Sequence, residues 1–130
     1  MTERQNVSSD SGFETTVGYS RAVRVGPNVW VSGTTAPGDT ITDQTRAAMR
    51  RIETALTKAG ARLSDVVRTR MFVTDISHWQ AVAAVHAEFF GDVRPVTTMV
   101  EVSALISPDL MIEIEVDAYT SGANEPSGPG

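Results

Sequence analysis

Residues 110–119 read LMIEIEVDAY and alternate without a break. Successive side chains of a strand point to opposite faces, so Leu110, Ile112, Ile114, Val116 and Ala118 form one row. Met111, Glu113, Glu115, Asp117 and Tyr119 form the other. Neighbours within a row stand about 6.5–7 Å apart. The carboxylates of the second row therefore repel weakly in water and strongly if enclosed. A strand with one wholly apolar row and one acidic row belongs in a sheet covered on one face only.

The preceding stretch, VRPVTTMVEVS over 93–103, reads in the same way. A strand over 96–105 has Val96, Thr98, Val100, Val102 and Ala104 in one row and Thr97, Met99, Glu101, Ser103 and Leu105 in the other. The expectation is that the mixed row lies on the uncovered face beside the acidic row of 110–119. One reading of such a face is an ordinary sheet with one wet side. However, Met99, Leu105, Met111 and Tyr119 are too apolar for a freely exposed surface. The second reading is a sheet face that meets copies of itself and lines pockets at subunit boundaries.

Working outward, SRAVRV over 20–25 and VWVSGT over 29–34 are strands joined by Gly26-Pro27-Asn28, a hairpin signal. Gly33 interrupts the second strand, which points to a bulge or a close backbone approach. A further short strand is expected near 5–8. The apolar spacing of Ala48, Met49, Ile52, Ala55, Leu56 and Ala59 predicts a helix over 42–59, with Thr42 as N-cap and Gly60 just past its end. Its Arg46, Arg50, Arg51, Glu53 and Lys58 read as a solvated face. VVRTRMFVT over 66–74 is a strand, and a second helix capped by Asp75 or Ser77 runs to Phe90. The order ββ-α-β-α-ββ predicts an α+β fold, a mixed sheet of about six strands with both helices on one face. Each helix allows a parallel crossover.

The 130 residues suit one domain, taken as 1–120, with 41% apolar residues. The last ten residues, SGANEPSGPG, are expected to be a disordered tail over 121–130. Eleven basic residues face 16 acidic ones, and the net charge of −5 argues against a general nucleic-acid binder. The lack of cysteine excludes disulfides, thiolate metal sites and a cysteine nucleophile. No apolar run of about 18 residues is present, so no membrane span is expected. The N-terminus MTERQNVSSDSG has no apolar secretory region, and a soluble cytoplasmic protein is the expectation. His78 and His86 are eight apart, not the i,i+4 of a helical metal pair, and no phosphate-cradling glycine loop occurs. No metal and no cofactor are therefore expected.

The fragments taken together resemble the RidA family, also called YjgF or endoribonuclease L-PSP. The residues that carry the likeness are Gly18-Tyr19, Val31-Ser32-Gly33, Asp65-Val66-Val67, Phe72-Val73-Thr74-Asp75, Glu88-Phe89-Phe90-Gly91, Val100-Glu101-Val102 and Ile112-Glu113-Ile114-Glu115. The resemblance implies a chorismate mutase-like homotrimer with three clefts between subunits. It implies hydrolysis of reactive imines or enamines of small 2-amino acids, releasing ammonia and a 2-keto acid. Glu113 matches the glutamate that activates water, while Gly33 and Tyr19 match residues that shape the pocket. The arginine that clamps the substrate carboxylate in such proteins is replaced by Thr97, followed by Thr98, and Glu101 completes the expected wall. A threonine hydroxyl cannot make the bidentate, charge-assisted fork of a guanidinium. Arg94, Arg68 and Arg70 are the cations considered as substitutes.

Two readings follow from the resemblance. The first is a hydrolase for a small imine, enamine or related C–N metabolite. The second is a trimer that binds a small metabolite, or regulates a partner, without turnover. Ribonuclease activity is more distant, given the acidic charge.

Overall fold

The computed structural model describes residues 3–120. The tail expected over 121–130 lies outside the described residues. Six strands form one sheet in the order β1-β2-β3-β6-β4-β5: β1 Arg4–Val7, β2 Ala22–Val25, β3 Asn28–Thr34, β4 Val66–Val73, β5 Val96–Glu101 and β6 Ile112–Tyr119. Helix α1 spans Ile41–Lys58 and α2 spans Trp79–Phe90. The strand β6 runs antiparallel between β3 and β4, and β5 pairs in parallel with β4 at the edge. This is the α+β architecture that the element order predicts.

The two rows of β6 take opposite fates. Ile112, Ile114 and Val116 are fully buried and Ala118 nearly so, whereas Glu113, Glu115 and Asp117 are half-buried and Tyr119 is exposed. The apolar row packs beneath α1, which also lies on β3. Met49, Ile52 and Leu56 of α1, Met71 and Val73 of β4, and Val82 and Phe90 of α2 complete the core. Full burial of each large aliphatic side chain contributes roughly 1.5–3 kcal/mol.

The start of α1 differs from the sequence reading. The N-cap is Thr40, whose extended backbone precedes the helix and whose Oγ1 accepts from Asp43 N at 3.1 Å; Thr42 already lies in the first turn. Burial of Ile41 draws the helix start forward. At the other end Gly60 sits at φ +81, and Ala61 N donates to Leu56 O at 2.8 Å, the glycine-terminated cap. Arg24 of β2 adds a bond from Nη1 to Ala59 O at 2.7 Å.

Three other boundaries move. Asp75 caps a single 3-10 turn, Ile76–His78, so His78 precedes α2 while His86 lies on it. The strand β5 stops at Glu101 and β6 starts at Ile112. Residues 14–18 form a wide π-type turn where no element was expected.

Gln44 fixes the entry to β6. It is 1% exposed, donates from Nε2 to Gly38 O at 3.1 Å and Asp109 O at 2.9 Å, and accepts from Met111 N at 2.9 Å. The side-chain amide thereby ties α1 to the residue before β6. Truncating the centre of the apolar row should be costly. Ile114→Ala is expected to lower unfolding free energy by about 2–5 kcal/mol, read from the urea midpoint at unchanged slope.

Candidate functional site

The register of β6 dictates where Glu113 points. Its neighbours in sequence, Ile112 and Ile114, are buried beneath the helices, so Glu113 must emerge on the other face. There it sits opposite Phe72 of β4. On the β3 side the pairing slips between Val31 and Thr34, a bulge centred on Ser32-Gly33. A Cβ on Gly33 would lie 2.1 Å from Glu113 Oε2. The glycine leaves room for the Glu113 carboxylate, which a larger residue would push aside, a close approach of the kind that its interruption of the strand pattern indicated.

Glu113, Gly33 and Tyr19 line one cavity of about 910 Å³. The loop carrying Ser8, Ser9 and Phe13, together with Arg51 and Lys58 of α1, forms other walls. Burial, followed by the neighbouring negative charge of Glu115, raises the Glu113 pKa above the ordinary 4.5, while Arg21 acts in the opposite sense. The carboxylate that adds to the effect of burial is the next one in its own row, Glu115. A glutamate with an upward-shifted pKa in a cavity is suited to accept and return a proton.

Arg21 is the residue that sequence reasoning missed. It lines the same cavity, donating from Nη1 to Thr34 Oγ1 at 3.2 Å and from Nη2 to Gly33 O at 3.1 Å. Its guanidinium carbon stands 5.7 Å from the centre of the Tyr19 ring. A signal was present, because Arg21 lies two residues after Tyr19, at the spacing that shares a face in extended chain. The loop in front is tied together by Glu14, whose carboxylate accepts from Ser8 Oγ at 2.9 Å, from Ser9 N at 3.0 Å and from Ser9 Oγ. The Ser9 bonds, the side-chain one first, hold the Glu14 pKa below its usual value.

The residues expected on β5 lie elsewhere within the chain. Thr97 pairs with Thr69, and Thr69 is fully buried on the helix side, 2.9 Å from His86 Nε2 of α2. The Thr97 Oγ1 lies 2.8 Å from Thr69 Oγ1 and donates to Pro95 O at 3.1 Å. Thr97, Met99 and Glu101 therefore face the helix side of the sheet, and Val96, Thr98 and Val100 face the open side, the reverse of the sequence reading. The physical reason is that β5 is an edge strand. Its outward Val96 and Val100 are 60% and 42% exposed, so apolar character does not mark its inner row. Glu101 is engaged at a turn, accepting from Ile76 N at 3.0 Å. Thr98 pairs with Arg70 across the open face.

The proposed substitute cations are also engaged. Arg70 pairs with Glu115 at 3.1 Å and with Asp117 at 3.6 Å, and Arg68 with Asp117 at 3.8 Å. Arg94 adopts φ 57 and donates to Gly91 O at 3.3 Å. None of the three lines the Glu113 cavity in this chain. Thus Tyr19, Gly33 and Glu113 are brought together, while Thr97, Thr98 and Glu101 stand apart from them.

The Gly33 contact yields a double-mutant test. Gly33→Ala is expected to cost about 1–3 kcal/mol in the wild-type background. The cost should largely vanish beside Glu113→Ala, a coupling read from urea unfolding of the four proteins.

The Endoribonuclease L-PSP family model matches residues 10–120. A crystal structure of a member of the YjgF/YER057c/UK114 family from Mycobacterium tuberculosis superposes with a TM-score of 0.90 at 64% identity, covering 91% of this chain and 100% of that one. A RutC family protein from Pyrococcus abyssi is 34% identical over 110 residues, 78% of this chain and 85% of the relative. A protein of Acinetobacter baylyi named 3-aminoacrylate deaminase RutC is 38% identical over 76 residues, 58% of this chain and 60% of the relative. With a family model spanning nearly all the described strands and helices, the chain belongs to the endoribonuclease L-PSP family, the RidA or YjgF family that its motifs resemble.

Proposed function

We propose that this protein is a hydrolase that deaminates small reactive imines or enamines, with Glu113 holding the attacking water. The observation that carries the reading is a glutamate of raised pKa packed against Gly33 in a cavity that also holds Tyr19. The name of the Acinetobacter baylyi relative, a deaminase of an enamine acid, supports the same class of reaction. In this scheme Glu113 takes a proton from water as the water oxygen adds to the C=N carbon. The carbinolamine formed from the protonated imine takes that proton back on nitrogen from Glu113. The C–N bond then breaks as the hydroxyl oxygen forms the C=O, and Glu113 accepts the hydroxyl proton as ammonia leaves. An enamine enters the same path after protonation at carbon.

The working form in this reading is a homotrimer in the cytoplasm, with the cavity closed by a neighbouring subunit. The open sheet face supports assembly. It carries Trp30, Val100 and Tyr119 at 45%, 42% and 49% exposure around the ion pairs of Arg68 and Arg70. Exposed aromatic and aliphatic side chains of this size beside charges that are already paired suit an interface better than a free surface. Nuclease action finds little support, since a net charge of −5 offers no basic track for a phosphate backbone.

The Thr97 hydroxyl favours a second reading, a trimer that binds a metabolite without turnover. Its single proton is engaged by Pro95 O or Thr69 Oγ1, so it presents only lone pairs to a ligand. Ammonia release from freshly generated 2-iminobutanoate decides between the two. Under the hydrolase reading Glu113→Gln loses about a hundredfold or more in rate. Equal rates for both proteins leave only the binding reading.

A pH series tests the same residue. The base form of Glu113 is the active one, so activity should rise with pH through a value above 4.5. Folding linkage has the opposite sign. The folded state binds this proton more tightly than the unfolded state. Stability from this group is therefore greatest at low pH and is lost as pH rises through the raised pKa. Glu113→Gln should accordingly melt at neutral pH no lower than wild type while being inactive.

A further inference from the structure

Position 97 offers no cation, and its hydroxyl has no free proton, yet the cavity beside Glu113 is not without positive charge. Three cations line it: Arg21, Arg51 and Lys58. Arg51 and Lys58 are exposed on α1 and reach backbone carbonyls, Thr35 O at 2.8 Å and Ser8 O at 3.5 Å. Arg21 differs from both. It is half-buried, its fork is fixed on Gly33 O and Thr34 Oγ1, and Tyr19 lies against it. Two of its five N–H groups are thereby engaged. Its Nε is buried without a protein acceptor, and no carboxylate among the described residues lies within ion-pairing distance of it.

The charge of Arg21 is felt by Glu113 and by Glu14, yet it forms an ion pair with neither, and a preorganised guanidinium held by neutral acceptors in the wall of a cavity is suited to meet a ligand anion. Its placement relative to Glu113 is specific. Gly33 gives its carbonyl to Arg21 and its open Cα side to the Glu113 carboxylate. A ligand whose charged group meets the guanidinium therefore has the atom next to that group close to Glu113. In a 2-imino acid the carbon to be hydrolysed is bonded directly to the carboxylate. We propose that Arg21 is the carboxylate-recognising residue of this cavity, selecting small 2-imino and 2-oxo acids from within the same subunit that supplies Glu113. The assignment rests on the hydrolase reading for its substrate but not for its anion, which follows from the arginine alone.

Binding can be separated from turnover with two stable probes. These are 2-oxobutanoate and its uncharged counterpart 2-oxobutanamide, titrated calorimetrically into the full-length protein. Wild type is expected to prefer the acid, with an affinity that falls as salt is raised. Arg21→Gln should weaken the acid about tenfold to a hundredfold and leave the amide unchanged, the loss of a charged hydrogen bond. Arg21→Lys, which keeps the charge but not the fork, should fall between, and it serves as the informative variant if the glutamine protein does not fold. Arg51→Gln should have little effect. The assignment is overturned if wild type binds the acid no better than the amide or not at all. It is also overturned if Arg21→Gln and Arg21→Lys bind the acid as wild type does, or if the loss appears in Arg51→Gln instead. Acid binding that depends on Arg21 without ammonia release from 2-iminobutanoate leaves this inference standing and removes the hydrolase reading.

Discussion

The fold depends on one constraint, the strict two-sidedness of a strand with partners on both flanks. The strand β6 is hydrogen-bonded to β3 and β4 along its length, so it cannot rotate to relieve a misplaced side chain. Its apolar row must be covered, and α1 covers it. Its acidic row must then be presented on the far side, where water, cations or another surface meet it. Everything about Glu113 follows from this. Its direction is set by Ile112 and Ile114, its confinement by Gly33, and its electrostatics first by burial and then by Glu115 one step along the row.

The same constraint produces two different treatments of like groups. Glu115 and Asp117 are matched to Arg70 and Arg68 on the adjacent strand, so their charge is neutralised by cross-strand pairs. Glu113 sits opposite Phe72 and gains no such partner. A carboxylate placed beyond the last ion pair of its row, against a bulge, is the one left free to exchange a proton. The distinction is made by β4, whose side chains alternate Arg68, Arg70 and Phe72 on that face.

Much of this was legible in the sequence because period-two alternation is reliable wherever both rows have contrasting chemistry. The β6 rows, the hairpin at Gly26, the glycine cap at Gly60 and the need for Gly33 were all readable in this way. The facing of β5 was not. At a sheet edge both rows are wet, so Thr97 and Val96 exchange the environments that their polarity suggests. The cap lies at Thr40, two residues before the Thr42 that the pattern suggested, because two hydroxyls compete there and the buried Ile41 already belongs to the helix. The π-type turn at Glu14 was hidden because it is held by serines reaching back to a carboxylate, a pattern with no hydrophobic period. Arg21 escaped because it was read as part of a strand and not as the neighbour of Tyr19.

Gln44 has an implication for folding fidelity. A slip of one residue in β6 would exchange its dry and acidic rows and bury three carboxylates. The buried amide accepts only an N–H where Met111 stands and donates only to carbonyls where Gly38 and Asp109 stand. A chain slipped by one residue would present it with mismatched groups. The helix thus carries a polar contact that disfavours a one-residue slip of the last strand, and glutamate, though nearly the same shape, has no N–H with which to make it.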